Sequence, residues 1–446
     1  SLSPVPQHAN PFNATERRLK AAAQLAKNDL QPMSELLAKG KSTGDNLAAG
    51  LRAIIARDDR AFGGHEGILA GAATKERLAA AYGAEHCWSV SRLEEYAYCP
   101  FRFFARNVLK LEPLAELTLQ TDYGRRGLLA HEALAELHRR LNAAGTPALP
   151  SQTSPEEYAR YRNETITLLQ GQLAQGDPLE EAFRTIDLTL IGQWLEEYLG
   201  QHQQYEMIGG EVEEAGRPQL RPAHFEVSFG LKRRGGEQID PLSTDKPFDL
   251  VYGEEKIRLS GRIDRIDIGL IGDQIVFNVL DYKTGRNKKL KADDIKHGLA
   301  LQLPLYAMAV QELLMIDRGA APWRVGYWYL RDSGFQSHDL PQLFQTTADG
   351  ICETGDWQLL KGTLLARVVE MVRGIRTGDF PVFSRDLECT GRCEFHTVCR
   401  VGQVRAINKV WIGSGKAAKS PVTNTERSKA ANEGDRGKIR AEAKQP

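Results

Sequence analysis

The sequence predicts an α/β protein, a β-sheet core flanked by helices and preceded by a helical segment. Two observations carry that prediction. Helical periodicity and polar linkers occupy most of the chain up to about residue 220. Beyond it, short apolar or alternating bursts separated by glycines give the order strand, strand, helix, strand, helix.

The N-terminal part comes first. Ala, Leu, Lys and Glu dominate 14–28, 45–57 and 73–81, which predicts helices there. LAKGKSTGDN invites comparison with a phosphate-binding loop. It fails the test, because the first glycine would fall at Glu35 and no apolar strand leads into it. GKST at 40–43 therefore reads as a turn, and no ATPase motor is visible in the chain.

A new unit begins near Trp88. In SVSRLEEYAYCPFRFFARNVLKL, Ser89 or Ser91 can cap an amphipathic helix that Cys99 and Pro100 interrupt. DYGRRGLLAHEALAELHRRL (122–141) predicts a helix with His131 in its interior and Gly127 one turn before it, where a missing side chain permits close packing. Residues 156–208 predict further helix in two pieces. HFEVSFGL (224–231), IRLSGRIDRIDI (257–268), QIVFNVLDYKTG (274–285) and WRVGYWYLR (323–331) predict strands; 300–314 and 356–376 predict helices. Residues 405–446 hold ten Lys or Arg against four Asp or Glu, which predicts a disordered basic tail.

Composition narrows the function classes. Lys plus Arg and Asp plus Glu both number 58, so bulk charge neither favours nor excludes nucleic acid; a locally lined groove suffices for phosphate. No run of eighteen apolar residues exists, and the N-terminus lacks a secretory pattern, so a cytoplasmic setting without membrane partners is expected. The start at Ser1 suggests a chain cut from something longer. Three of six cysteines fall between Cys389 and Cys399, a clustering that favours a metal or cluster site over disulfides.

VLDYKTG (279–285) carries the sharpest chemistry. On a strand, residues two apart share a face, so Asp281 and Lys283 project together while Leu280 and Tyr282 turn away. A carboxylate that holds a cation beside an ammonium that orients water suits metal-assisted hydrolysis; a salt-bridged surface strand has the same spacing. Pairing with GRIDRIDI brings Asp264 within ligand distance of Asp281, and two close carboxylates call for a cation, with magnesium or manganese suiting oxygen ligands. Asp267, three residues on, points to the opposite face, towards solvent or an outer shell. Gln302 and Tyr306 share a helix face, and Glu226 either reaches the site from a neighbouring strand or points outward.

On YAYCPFRFFARNVL, GLLAH, GRIDRID, LDYKTG, QLPLY and the terminal cysteines, residues 88 to about 403 resemble the nuclease domain of the AddB and RecB branch of the PD-(D/E)XK superfamily, and are similar to Cas4 nucleases. Residues 1–86, including FGGHEGIL, resemble more weakly the region preceding the nuclease in AddB-type subunits. The resemblance implies a restriction-endonuclease-like core with a mixed central sheet, divided as a helical segment 1–86, a nuclease domain 87–403 and a tail 404–446. It implies that His131, Asp264, Asp281 and the carbonyl of Tyr282 attend a magnesium or manganese ion, that Lys283 assists the attacking water, and that Gln302 and Tyr306 place substrate. It also implies a [4Fe-4S] cluster on Cys99, Cys389, Cys393 and Cys399, for which zinc is the alternative. The family spaces its terminal cysteines by two residues and then five; here three separate Cys389 from Cys393, and Gly391 can take up the extra one. Cys87 and Cys352 match nothing and read as ordinary thiols.

The activity implied is divalent-metal-dependent hydrolysis of DNA, of exonuclease type, in end processing for double-strand-break repair and recombination. An AddA-like helicase–nuclease subunit is the implied partner. Two other readings stay open: a self-standing Cas4-like exonuclease, and a catalytically silent DNA-binding scaffold.

Overall fold

The computed structural model describes residues 13–25, 27–38, 41–112, 123–143, 145–171, 178–208, 218–232, 239–286, 291–348, 350–406, 409–411 and 418–419. Most of the expected basic tail therefore lies outside the described residues. The chain divides into two compact units, one formed by Ser1–Ala70, Pro381–Phe383 and Cys399–Pro446, the other by Gly71–Phe380 and Ser384–Val398.

The smaller unit holds helices α1 (Ala14–Leu25), α2 (Gln31–Ala38) and α3 (Lys41–Asp58). Asn13 starts α1 by accepting the Glu16 N–H on its side-chain oxygen at 2.8 Å. The turn expected at GKST is corrected: Lys41, Ser42 and Thr43 already belong to α3, because an Ala- and Leu-rich run extends the helix back to them. Within this unit Lys409 is wholly buried, paired with Glu66 at 3.2 Å and donating to the Ala61 carbonyl at 3.1 Å.

The larger unit opens with α4 (Ala72–Ala81), β1 (Cys87–Ser89) and α5 (Val90–Tyr98). Cys99 is extended and ends α5, and Pro100, which has no N–H to give, starts the short α6 (Pro100–Phe103) at its first position. Three long helices follow, α7 (Tyr123–Leu141), α8 (Pro155–Gly171) and α9 (Pro178–Ile208). Then come β2 (Arg221–Phe229), β3 (Phe248–Tyr252), β4 (Glu255–Ile271) and β5 (Gln274–Lys283). The unit continues through α10 (Ala292–Lys296), α11 (Gln302–Ala309), β6 (Ala321–Tyr329), β7 (Gly334–Gln336) and α12 (Gly355–Thr377).

Strands β1 to β7 form one seven-stranded mixed sheet with β4 as its spine. β4 pairs antiparallel with β3 over Glu255–Leu259, parallel with β1 over Arg258–Ser260, and antiparallel with β2 over Gly261–Ile268. β5 runs antiparallel to β4 and parallel to β6. The expected α/β core with a mixed sheet is what forms.

Side chains alternate across the sheet, and the alternation decides what each face does. On one face Leu280, Tyr282, Trp328 and Leu330 pack against Leu134 and Leu137 of α7 and Leu188, Leu195 and Tyr198 of α9. Each such burial contributes about 1.5–3 kcal/mol before chain entropy is counted. The same layer takes in a charged pair: Arg265 and Asp267 are both fully buried, joined at 2.5 and 2.6 Å, with Tyr205 donating to Asp267 at 2.9 Å. The expectation for Asp267 is thus half corrected. It does face away from Asp264, but into a dry aromatic layer, because Arg265 on the same face supplies its counter-charge. The other face receives α11.

Candidate active site

Register builds the site. The β4–β5 ladder reads Asp267 against Asn278, Ile266 against Val279 and Arg265 against Leu280, and there the paired stretch ends. The next residues on the two strands are Asp264 and Asp281. Across this gap the Tyr282 N–H donates to Asp264 Oδ2 at 2.7 Å. Both acids are buried, Asp264 at 9% and Asp281 at 8% exposure, so neither is a surface charge.

Lys283 lies two residues beyond Asp281 on the same face and forms a close ion pair with it. Its ammonium also sits over the Tyr327 ring, 4.9 Å from the centroid, where β6 runs in register with β5. Burial alone would lower the Lys283 pKa, but the Asp281 carboxylate raises it, so the ammonium stays charged. Burial pushes Asp281 up from the usual carboxylate range; Lys283 opposes the rise and Asp264 adds to it.

His131 enters from α7. Its Nε2 lies 3.1 Å from the Tyr282 carbonyl and its Nδ1 lies 3.4 Å from Asp264 and 3.9 Å from Glu226. A proton on Nε2 given to Tyr282 leaves Nδ1 turned to the carboxylates. Burial works against a charged ring, yet hydrogen bonding and charge from Asp264, then Glu226 and Asp281, hold the imidazole pKa up at about 9. The packing role expected for Gly127 is corrected: a side chain there would meet only Thr284 Oγ1, at an ordinary 3.9 Å.

Glu226 does reach the site. Phe225 pairs with Arg265 and Val227 with Ile263, so Glu226 stands opposite Asp264. Its φ is +54°, a left-handed conformation that a glutamate adopts at a cost of about 1–2 kcal/mol. Burial and the charge of Asp264 raise its pKa, offset by His131, and its Oε1 is buried without a hydrogen-bond partner. Among the described residues, His131, Glu226 and Asp264 form the group whose ligand atoms all lie within 4.8 Å of one another. A buried carboxylate oxygen with no donor, beside the Asp264 carboxylate and an imidazole, is the donor set a hard divalent cation fits.

α11 closes the site. Tyr306 is buried, edge-on to Phe229 at 5.8 Å, and lies over Gly261, where an added Cβ would come within 2.5 Å of its ring. Its hydroxyl pKa is raised by burial and then by Asp281, Asp264 and Glu94, so the phenol stays neutral. Gln302 opens the helix one turn earlier.

Glu94 is the residue sequence reasoning missed. From α5 its Oε1 accepts the backbone N–H of Leu301 at 2.6 Å and of Gln302 at 3.0 Å, so it caps α11 from 207 and 208 positions away. Burial pushes its pKa up to about 7, with Lys283 lowering and Asp281 raising it, which sets it electrically within the same site. In the string LEEY nothing marks it apart from Glu95; only the fold supplies its partner.

No disulfide joins the cysteines. Cys99 is buried and accepts the Arg102 N–H at 3.4 Å, while the Cys393 N–H donates to the Cys389 carbonyl at 2.8 Å. Cys352 is exposed and Cys87 is partly buried.

Strand register, paired acids and an adjacent lysine on a mixed sheet make a centre whose chemistry suits metal-assisted hydrolysis. Residues 87–400 match the family model of the PD-(D/E)XK nuclease superfamily, and the chain belongs to that superfamily. It is similar to an ATP-dependent helicase/deoxyribonuclease subunit of Symbiobacterium thermophilum, 35% identical over 236 residues that cover 52% of this chain and 18% of that protein. The same-named protein of Heliobacterium modesticaldum is 34% identical over 224 residues, 49% of this chain and 16% of that protein. That of a Thermoanaerobacter species is 28% identical over 235 residues, 52% of this chain and 18% of that protein. The matched stretch thus spans less than a fifth of the length of these relatives. Among the described residues no helix is long and apolar enough to cross a membrane.

Proposed function

We propose that this chain is a divalent-metal-dependent deoxyribonuclease, of exonuclease type, that trims DNA ends for recombination and double-strand-break repair. The observation that carries the reading is the meeting of Asp264, Asp281, Lys283 and His131 where the β4–β5 ladder ends. A self-standing Cas4-like exonuclease and a silent DNA-binding scaffold are the competing readings. Residues 87–403 would form the catalytic domain. The relatives' names make each of them one subunit of a larger enzyme, and we take the partner of this chain to be an AddA-like helicase–nuclease subunit in the cytoplasm.

Asp264, Asp281, His131 and Glu226 would hold magnesium or manganese, with the Tyr282 carbonyl beside them. When bound, such a cation supplies Lewis-acid stabilisation of the anionic oxygens that develop on phosphorus. The protein's own residues do the rest. The Lys283 ammonium, kept charged by Asp281, holds the attacking water by hydrogen bonding and balances the charge that builds as water loses its proton. Gln302 and Tyr306 on one face of α11 place the phosphodiester, and Glu94 fixes the helix that carries them. The neutral Tyr306 phenol can donate to a phosphate oxygen but cannot compete as a nucleophile.

Cys99, Cys389, Cys393 and Cys399 would hold a [4Fe-4S] cluster. Their residue types and their clustering after the core support this, although one residue more separates Cys389 from Cys393 than the family has, and metal analysis of anaerobically purified protein would separate iron and sulfide from zinc.

The test is cleavage of end-labelled single-stranded and duplex DNA with magnesium or manganese, comparing the intact chain with Lys283→Ala. Metal-dependent cutting that falls about 10²- to 10⁴-fold in the variant is expected. DNA binding without cutting under either metal would move the scaffold reading to the front.

A further inference from the structure

α5 has two duties. Glu94 turns to the catalytic centre, while Ser91, Arg92, Glu95 and Tyr98 line a groove of about 580 Å³ whose other wall is Arg102, Arg106 and Asn107. Glu94 lines this groove too, and Leu299, just ahead of α11, forms part of its surface. The groove therefore opens directly beside Leu301 and Gln302, at the end of α11 that faces the site.

The groove's charges are arranged, not scattered. Glu95, only 8% exposed, accepts from Arg102 Nε at 3.1 Å, Arg106 Nη1 at 2.7 Å and Asn107 Nδ2 at 2.9 Å. One buried carboxylate thus fixes two guanidinium groups from behind, and their remaining N–H donors can turn outward. Arg106 is also tied to Glu394, which braces it from a second direction. Arg102 lies over the Tyr98 ring, 5.2 Å from its centroid. Arg92 is exposed and makes no ion pair among the described residues. Three arginines stand against two lining carboxylates, Glu94 and Glu95, so the lining stays net positive, and Glu95 and Glu394 hold its donors pre-set.

We infer that this groove is a phosphate-binding track that holds the backbone of a single DNA strand, placing the phosphates next to the one that is cut. The inference rests on the nuclease reading of the adjacent centre and adds the substrate's path to it. A single strand fits better than a duplex: the donors come from one continuous stretch of chain, α5, α6 and the helical turn Phe104–Val108 after them, which matches a row of phosphates on one strand. Binding here would be insensitive to sequence, since guanidinium groups reach phosphate and no base edge is read.

The test uses the 446-residue chain and a fluorescent oligothymidine of about twenty nucleotides, longer than the site of one single-strand-binding module, with calcium in place of magnesium to prevent cutting. Arg92→Glu is the first variant, because Arg92 is exposed and supports no ion pair among the described residues. Arg106→Lys is the second, keeping charge and losing the forked donor geometry. We expect Kd to weaken roughly tenfold or more in Arg92→Glu and several-fold in Arg106→Lys. The slope of log Kd against log salt should fall by about 0.7 or more for Arg92→Glu. Under magnesium, KM for the long strand should rise while cleavage of a dinucleotide, too short to reach the groove, keeps its rate. Unchanged affinity and salt slope in Arg92→Glu overturn the track. If the intact chain cuts nothing yet Arg92→Glu still loses the oligonucleotide, the track stands and the nuclease reading falls.

Discussion

The backbone N–H of Tyr282 donates to the Asp264 carboxylate at 2.7 Å, so a single acid both presents charge to the proposed catalytic centre and ties β5 to β4 where their ladder has ended. Those two duties separate by substitution. Asp264→Asn keeps an oxygen acceptor for Tyr282 and removes the charge; its thermal midpoint should stay near that of the parent in chelator, while manganese affinity and DNA cleavage collapse. Asp264→Ala should lose a further 1–3 kcal/mol or so in denaturant titration, from an orphaned buried N–H. Equal stability of the two variants would refute the bracing role.

Glu226 occupies a left-handed conformation opposite Asp264. Glu226→Ala and Glu226→Gly both remove the carboxylate, but only glycine relieves the backbone. Glycine should be the more stable of the two by about 1 kcal/mol in urea titration, although at an ordinary strand position it is the worse residue by a similar amount. Both should bind manganese more weakly than the parent in calorimetric titration.

Gly261 lets the Tyr306 ring lie against β4, with 2.5 Å between the ring and the place a Cβ would take. Gly261→Ala should therefore displace Tyr306 or its strand and cost about 1–3 kcal/mol. The rise in KM for DNA should exceed the loss in metal affinity if Tyr306 places substrate as proposed. A variant with parent-like kinetics would show that the ring has room to move without consequence.

His138 is fully buried beside Arg265, donating or accepting at Tyr198 at 2.7 Å and stacked on Phe225 at 4.9 Å. Burial, then Arg265 and His202, hold its pKa well below the ordinary value, so it is neutral in the fold. As pH falls below about 6.5 the unfolded chain takes up a proton that the folded chain refuses. Stability is complete above that pH and declines towards the folded pKa, by up to about 1.4 kcal/mol per pH unit for this one proton. Melting curves from neutral to mildly acidic pH should show a shallower decline in His138→Gln than in the parent. His202 lies in the same layer, lowered by burial and then Arg265, and should retain its share of the decline.

Much of this was legible in the chain because it depends on period and spacing alone. The alternation of VLDYKTG put Asp281 and Lys283 on one face, and GRIDRIDI supplied the partner strand. Other features needed the fold. Asp267 was expected at the surface or in an outer shell, since nothing in R-I-D says that Arg265 accompanies it inside and that Tyr205, sixty-two residues earlier, donates to it. Glu94 was invisible because its partners are backbone N–H groups at 301 and 302. Glu226 was named but left undecided, as a single acid in a strand carries no mark of a left-handed φ.

The residues of β4 alternate between two incompatible environments, Asp264 towards the acids and Arg265 and Asp267 into the aromatic layer. Substitutions along this strand are local insults, whereas a one-residue insertion or deletion inverts every assignment at once. Arg265 would then enter the proposed metal site while Asp264 went unpaired into the buried aromatic layer. Length change in this segment should be the rarest event in laboratory evolution of the chain, rarer than loss of any one ligand, and a library built by random single-codon insertion would map that intolerance directly.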